Sequence, residues 1–145
     1  MINLNFTGVI RGPKELVAPA SPQTITGAWA DLGAELHVAG AGAAGLWANL
    51  DINGSTDVRL RLLAKRTSAG ADEYVPPIRT VGASVVAVED EYIEFTNDVD
   101  QKMLISWNMD GLIPYIQFQV MAGTLGAPAG IILSAYVTTT LRSSQ

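Results

Sequence analysis

The chain has 145 residues, a mass of 15.3 kDa and a hydrophobic fraction of 48%, which suits one domain with an apolar core and argues against wholesale disorder. It contains no cysteine, so disulfides and thiolate metal sites are excluded. Its formal net charge of −5 comes without a basic stripe, which makes nucleic acid and anionic membranes poor partners. No signal peptide or long apolar run is visible, so we expect no membrane span.

The first 22 residues differ from the rest of the chain. The stretch INLNF alternates apolar and polar residues, and three prolines come after it. Because proline cannot donate to a central ladder, residues 1–22 are predicted to be an arm or an edge strand. An arm that leaves the domain can pair with a neighbouring subunit or another protein. Its apolar side chains are therefore candidate interface residues: Ile2, Leu4 and Phe6.

Residues 23–145 are predicted to form the folded domain. The stretches ITGAWADLG and AELHVAG indicate two short strands. LWANLDIN and DVRLRLLAKR alternate apolar and polar residues, as strands with one buried face do. The turn formers Asn53-Gly54-Ser55-Thr56 lie between these two strands, so the sequence predicts an antiparallel hairpin.

The second half of the chain continues the period-2 pattern. Further strands are predicted at SVVAVE, EYIEFT, KMLISWN, IPYIQFQVMAG and IILSAYVTTTL, and TSAGADEYVPPIRT is the longest predicted loop. No segment has convincing helical spacing. The sequence therefore predicts an all-β fold, a single β-sandwich or jelly-roll-like domain with an N-terminal arm.

The stretch GAGAAG at residues 40–45 matches the G-x-G-x-x-G fingerprint of dinucleotide-binding turns. That function needs a helix directly after the glycines, since the pyrophosphate sits on the helix N-terminus. The next residues in the chain are LWANLDIN, which alternate as a strand. We therefore interpret the glycines as a flexible connection between strands and expect no nucleotide cofactor.

Three further groups of residues are candidate chemical sites. DINGSTD resembles the start of a calcium loop, but its glycine is at the fourth position and Leu62 stands where glutamate is required. The acidic run VEDEYIEFTNDVD could supply glycosidase carboxylates, although a solvated rim is the simpler interpretation. His37 is the only histidine and has no nucleophile-elbow serine to act on. We expect no catalytic residues, no metal and no cofactor.

Aromatic and charged residues give the remaining signals. Trp47 alternates onto the polar face of its strand with Asn49 and Asp51, which indicates a second sheet or a partner there. Arg59 and Arg61 belong to a cluster of four cations, opposed by the acidic run, and these charges could pair within one subunit or between subunits. Trp47, Arg59 and Arg61 are therefore further interface candidates. Exposed aromatics could instead stack on a glycan.

Two long stretches carry a resemblance to a known class of proteins. DGLIPYIQFQVMAGTLGAPAGIILSAYVTTTL resembles head proteins of tailed bacteriophages that end in a strand, a Gly-rich turn and a last strand of the AYVT type. WADLGAELHVAGAGAAGLWANLDINGSTDVRLRLLAKRTSAGADEYVPPI is similar to small phage structural proteins encoded near the major capsid gene. Together they cover about residues 29–141.

This resemblance implies a non-enzymatic virion protein of the capsid decoration or cement type, located on the capsid surface. The resemblance also implies synthesis in the host cytoplasm, and its implied partners are the major capsid protein and further copies of itself. Trp47 on a polar strand face and the segregated charge predict a homo-oligomer, with a trimer slightly preferred over a dimer. The alternatives are a neck, tail or fibre adaptor of the virion, a carbohydrate-binding β-sandwich module and, last, a glycoside-acting enzyme.

Overall fold

A computed structural model describes residues 13–70, 73–74, 78–81, 87–88, 92–95, 101–109 and 111–141. These residues form twelve strands, paired antiparallel throughout, and no helix. The strands are β1 (Lys14–Val17), β2 (Gln23–Thr24), β3 (Ala30–His37), β4 (Ala41–Asp51), β5 (Thr56–Lys65), β6 (Glu73–Tyr74), β7 (Ile78–Val81), β8 (Ala87–Val88), β9 (Ile93–Phe95), β10 (Gln101–Asn108), β11 (Tyr115–Thr124) and β12 (Ile131–Leu141). The arm candidates Ile2, Leu4 and Phe6 lie outside the described residues.

The strands form two sheets that enclose one core. Sheet A has the order β1-β12-β4-β10-β7, with β2 also on β12, and sheet B has the order β3-β11-β5-β9-β8, with β6 also on β5. The long strands alternate between the sheets along the chain, and β1 lies beside the last strand, β12. This is a jelly-roll-like order, and the predicted all-β sandwich is confirmed.

Period-2 alternation explains the core. Leu46 and Leu50 of β4 and Leu60 and Leu62 of β5 are all buried, and the residues between them mostly face outward. In the middle of the core the Trp107 ring meets the Phe118 ring edge to face, with centroids 5.3 Å apart. Hydrophobic burial on the two inner faces therefore holds the sheets together.

The predicted β4–β5 hairpin is wrong. β4 pairs with β10 and β12 in sheet A, whereas β5 pairs with β6, β9 and β11 in sheet B. The connection at Asn53 (φ 49°) and Gly54 (φ 72°) therefore carries the chain from one sheet to the other. Two strands with one apolar face each can pair side by side or stack face to face, and stacking puts both faces into the core.

Three local expectations also differ from the structure. ITGAWADLG and AELHVAG contribute to one strand, β3, whose register against β11 shifts around Gly33 (φ 69°). The predicted long loop contains β6 and β7. GAGAAG is a connection only at Gly40 (φ 83°), because β4 begins at Ala41.

Strand β1 joins residues 14–17 to the sandwich as an edge strand of sheet A. It pairs with β12, Val17 is buried, and Leu16 packs on the core. A Cβ at Gly33 would lie 2.8 Å from the Cβ of Leu16, so the missing side chain lets β1 approach β3 closely.

Candidate functional site

The outer face of sheet A has an apolar row at its centre. Trp47 lies opposite Tyr136 on β12 and opposite Leu104 on β10. The Trp47 side chain is 48% exposed, and Tyr136 and Leu104 are half-buried. We call Tyr136, Trp47 and Leu104 the aromatic row. A large exposed indole on a sheet face is uncommon enough to indicate a binding surface.

The indole of Trp47 is held in place by its own chain. Its Nε1–H donates to Thr138 Oγ1 at 3.1 Å. Thr138 pairs with Gly45, where an added Cβ would lie 3.3 Å from the Thr138 hydroxyl oxygen. Gly45, the last glycine of GAGAAG, therefore leaves this corner of the face free. Trp47, Tyr136, Thr138 and Pro13 line an open apolar depression of about 280 Å³ there.

A polar row runs beside the aromatic row, two residues further along each strand. Asn49 lies opposite Ser134 on β12 and opposite Lys102 on β10. We call Ser134, Asn49 and Lys102 the polar row. With Trp47 and Tyr136 these residues border a second open depression of about 300 Å³.

The outer face of sheet B is occupied by its own side-chain contacts. Arg59 Nε lies 3.4 Å from Glu94 Oε2, an ion-pair distance without hydrogen-bond geometry, and the guanidinium lies 5.0 Å from the centre of the Tyr92 ring. Arg61 Nε and Nη2 donate to Gln119 Oε1 at 2.9 and 2.6 Å. Both guanidinium groups therefore have partners within the chain.

The same pattern continues along this face. Gln119 Nε2 donates to Asp31 Oδ1 at 2.9 Å, and the Arg61 guanidinium lies 4.1 Å from the centre of the Trp29 ring. The two interface candidates Arg59 and Arg61 are thus brought onto one face, where they stabilise β5 against its neighbours.

Glu35 closes one end of this face. Its carboxylate lies 3.4 Å from Lys65 Nζ and accepts hydrogen bonds from the Ala69 N–H and the Ser68 hydroxyl. Burial by itself would raise the pKa of Glu35, but the hydrogen bonds from Ala69, Ser68 and Lys65 outweigh it and hold the pKa below its ordinary value.

The polar side chains of the calcium-like stretch hold a turn together. Asp51 Oδ1 accepts from the Asn53 N–H at 3.2 Å, and Asn53 Nδ2 donates to the Ala129 carbonyl at 3.3 Å. Ser55 Oγ is buried and accepts from two backbone N–H groups. Within the described ranges no three histidine, aspartate or glutamate side chains are grouped as metal ligands.

The other sequence candidates fall on separate parts of the sandwich. The His37 ring stacks on Tyr115 with centroids 5.1 Å apart, at the end of β3. In the acidic run VEDEYIEFTNDVD, Glu94 is the acidic residue that the structure describes, and it pairs with Arg59. His37 and Glu94 thus have structural neighbours.

The chain matches no protein-family model, no curated protein and no solved structure. Across the described residues no helix is long and apolar enough to cross a membrane.

Sequence reasoning identified Trp47 but missed the two rows around it. Alternation alone places Tyr136, Leu104, Lys102 and Ser134 on the faces they occupy. It does not show that β12 and β10 flank β4, which brings these residues to Trp47.

Proposed function

We propose that this protein is a structural component of a tailed-phage virion that decorates the assembled head and catalyses no reaction. The resemblance of residues 29–141 to phage head and capsid-proximal proteins supports this, and the jelly-roll-like sandwich offers a rigid body for it. A protein that binds the assembled shell and not its free subunits stabilises the shell by mass action.

The observation that carries the proposal is the position of β1. This strand enters the fold at an edge of sheet A, paired with β12 on one side. Residues 1–12 directly precede this edge strand in the sequence. A segment in this place can add to a strand of a capsid protein or of a second copy through main-chain hydrogen bonds, with Ile2, Leu4 and Phe6 filling pockets.

The first test locates the protein. Electron microscopy of virions of the phage that encodes this chain is expected to show the density of the protein on the head, at symmetric lattice sites. Density at the neck or tail would replace head decoration with the adaptor function. Virions that lack the protein would contradict both.

The second test uses the N-terminal segment. Deleting residues 2–12 is expected to leave the β-sheet circular dichroism unchanged and to weaken binding to heads at least tenfold. The double variant Asn3→Ser/Asn5→Ser, which changes only the opposite face of INLNF, serves as the control and is expected to bind normally. Tight binding by the deletion variant would show that another surface attaches the protein.

A further inference from the structure

We propose that the outer face of sheet A holds a saccharide-binding site, in which a pyranose ring stacks on Trp47 and its polar substituents bind Asn49 and Lys102. The inference does not rest on attachment to a phage head, which uses residues 1–12. It rests on the aromatic row and the polar row, which the sheet places side by side.

The aromatic row supplies the platform for the ring. The C–H face of a pyranose is apolar and covers an exposed indole, removing both from water. The hydrogen bond from Trp47 Nε1 to Thr138 fixes the indole before any ligand arrives. A platform that is already ordered loses little side-chain entropy on binding, which favours even a weak ligand.

The polar row supplies hydrogen-bonding groups at the right distance from the platform. Asn49 and Lys102 are directly opposite each other, and Ser134 completes the row on β12. Two residues along a strand correspond to about 6.6 Å, a spacing that one sugar ring with its hydroxyls can span. Amide, ammonium and hydroxyl groups together offer donors and acceptors, which is what sugar hydroxyls require.

Described side chains do not engage the polar row. Among the described residues the side chains of Asn49, Lys102 and Ser134 have no hydrogen-bond or ion-pair partner, in contrast to the engaged side chains of sheet B. The two depressions of about 280 and 300 Å³ share Trp47 and Tyr136. Each approaches the lower limit of small-molecule sites, so a linear saccharide can place one residue in each.

Lys102 sets the preference among saccharides. Its side chain is exposed, and within the described part of the chain no carboxylate lies within ion-pair distance. A carboxylate on the sugar can pair with this cation, so acidic sugars are expected to bind more tightly than neutral ones.

A second copy of the chain fits this face less well than a saccharide does. Covering the polar row with an apolar surface would leave Asn49, Lys102 and Ser134 desolvated without partners. A saccharide instead pairs with both rows at once.

Affinity electrophoresis of the full-length protein tests the site. Polygalacturonate in the gel is expected to retard the protein, and hydroxyethylcellulose is expected to retard it less. Trp47→Ala should weaken the affinity measured from the retardation at least tenfold. Lys102→Ala should remove the preference for polygalacturonate over hydroxyethylcellulose. Leu112→Ala, which truncates a side chain 73% exposed outside the site, is the matched control and should behave as the wild type.

Light scattering on the same variants separates the saccharide from a second copy. The Trp47→Ala protein is expected to keep the mass of the wild type while it loses the saccharide. A Trp47→Ala protein that falls to a smaller assembly would make the face an interface between copies and overturn the proposal. Equal retardation of wild type and Trp47→Ala, or no retardation by either polymer, would also overturn it.

Discussion

At the scale of single residues, Ser55 shows how a turn and a distant loop are joined. Its hydroxyl oxygen accepts from Gly126 N at 3.0 Å and from Gly130 N at 3.1 Å. A Cβ at Gly126 would collide with the Asn53 carbonyl oxygen, so this loop approaches the turn as closely as glycine permits. The stretch that resembles a calcium loop thus anchors the chain just before β12.

Replacing Ser55 tests this anchor. Ser55→Ala leaves two N–H groups without their acceptor, and we expect a loss of about 1–3 kcal/mol in the free energy of unfolding. Urea denaturation measures it. Ser134→Ala, on the outer face of sheet A, is the control and should change stability by less than about 0.5 kcal/mol. Equal midpoints for the two variants would contradict the role of Ser55.

Glu35 gives the protein a pH-dependent contact. Because its folded-state pKa lies below the ordinary value of 4.5, the ionised carboxylate stabilises the fold above the unfolded-state pKa. This contribution is lost as the pH falls through the folded-state pKa. Glu35→Gln is therefore expected to destabilise the protein at neutral pH, by about 1 kcal/mol for a half-buried pair at the protein surface.

Thermal melts of the wild type and Glu35→Gln between neutral and strongly acidic pH check the sign. The difference between their melting temperatures should shrink on acidification. It should vanish once Glu35 of the wild type is protonated in both the folded and the unfolded state. Glu15→Gln changes the net charge equally and serves as the control for net charge. A difference that grows in acid would contradict this account of Glu35.

At the scale of elements, cross-strand pairs on sheet B fix β9 against β5. Arg59 and Glu94 are directly opposite in the β5–β9 register. Arg59→Glu places two carboxylates there and removes the contact with Tyr92, so it is expected to cost about 1–2 kcal/mol. The swap Arg59→Glu/Glu94→Arg should recover about 0.5–1 kcal/mol of that loss.

A double-mutant cycle by urea denaturation measures this coupling. The control cycle combines Glu94→Arg with Lys102→Glu, which lies on the other sheet, and its effects should be additive. Additivity in the Arg59–Glu94 cycle would show that the pair contributes nothing to the docking of β9.

At the scale of the whole molecule, the described part of the fold is held by its apolar core. Asp51 Oδ1 and Ser55 Oγ accept backbone hydrogen bonds, and Asn53 Nδ2 donates to the Ala129 carbonyl, so these side chains already hold the turn and its neighbouring loop together. We expect the melting temperature to be the same in excess EDTA and in millimolar calcium. A rise of several degrees with calcium would reveal a site that binds the native state.

The assembly state is the second expectation at this scale. We expect a homo-oligomer, a trimer in preference to a dimer, formed through residues 1–12 and the β1 edge, because Arg59 and Arg61 are engaged within their own chain. Light scattering at tens of micromolar should give three times the chain mass. A monomer at that concentration would contradict it.

Alternation of apolar and polar residues is enough to predict which side of each long strand is buried. Alternation places Leu46 and Leu50 inward and Trp47 and Asn49 outward, and the structure has the same assignments. Successive side chains of a strand point to opposite faces, so burial of one set exposes the other. The all-β class came from the same pattern. The outward position of Trp47, at the centre of the candidate site, was predictable for this reason.

The identity of neighbouring strands, by contrast, follows from long-range pairing in the fold. Alternation reports the environment of a face and carries no information about the strand beside it, so β4 and β5 were equally compatible with a hairpin and with separate sheets. Trp47, Tyr136 and Leu104 meet because β12 and β10 flank β4, across separations of 89 and 57 residues in the chain. The candidate site exists on that face because long-range pairing, driven by burial of two apolar sheet faces against each other, brings those strands together.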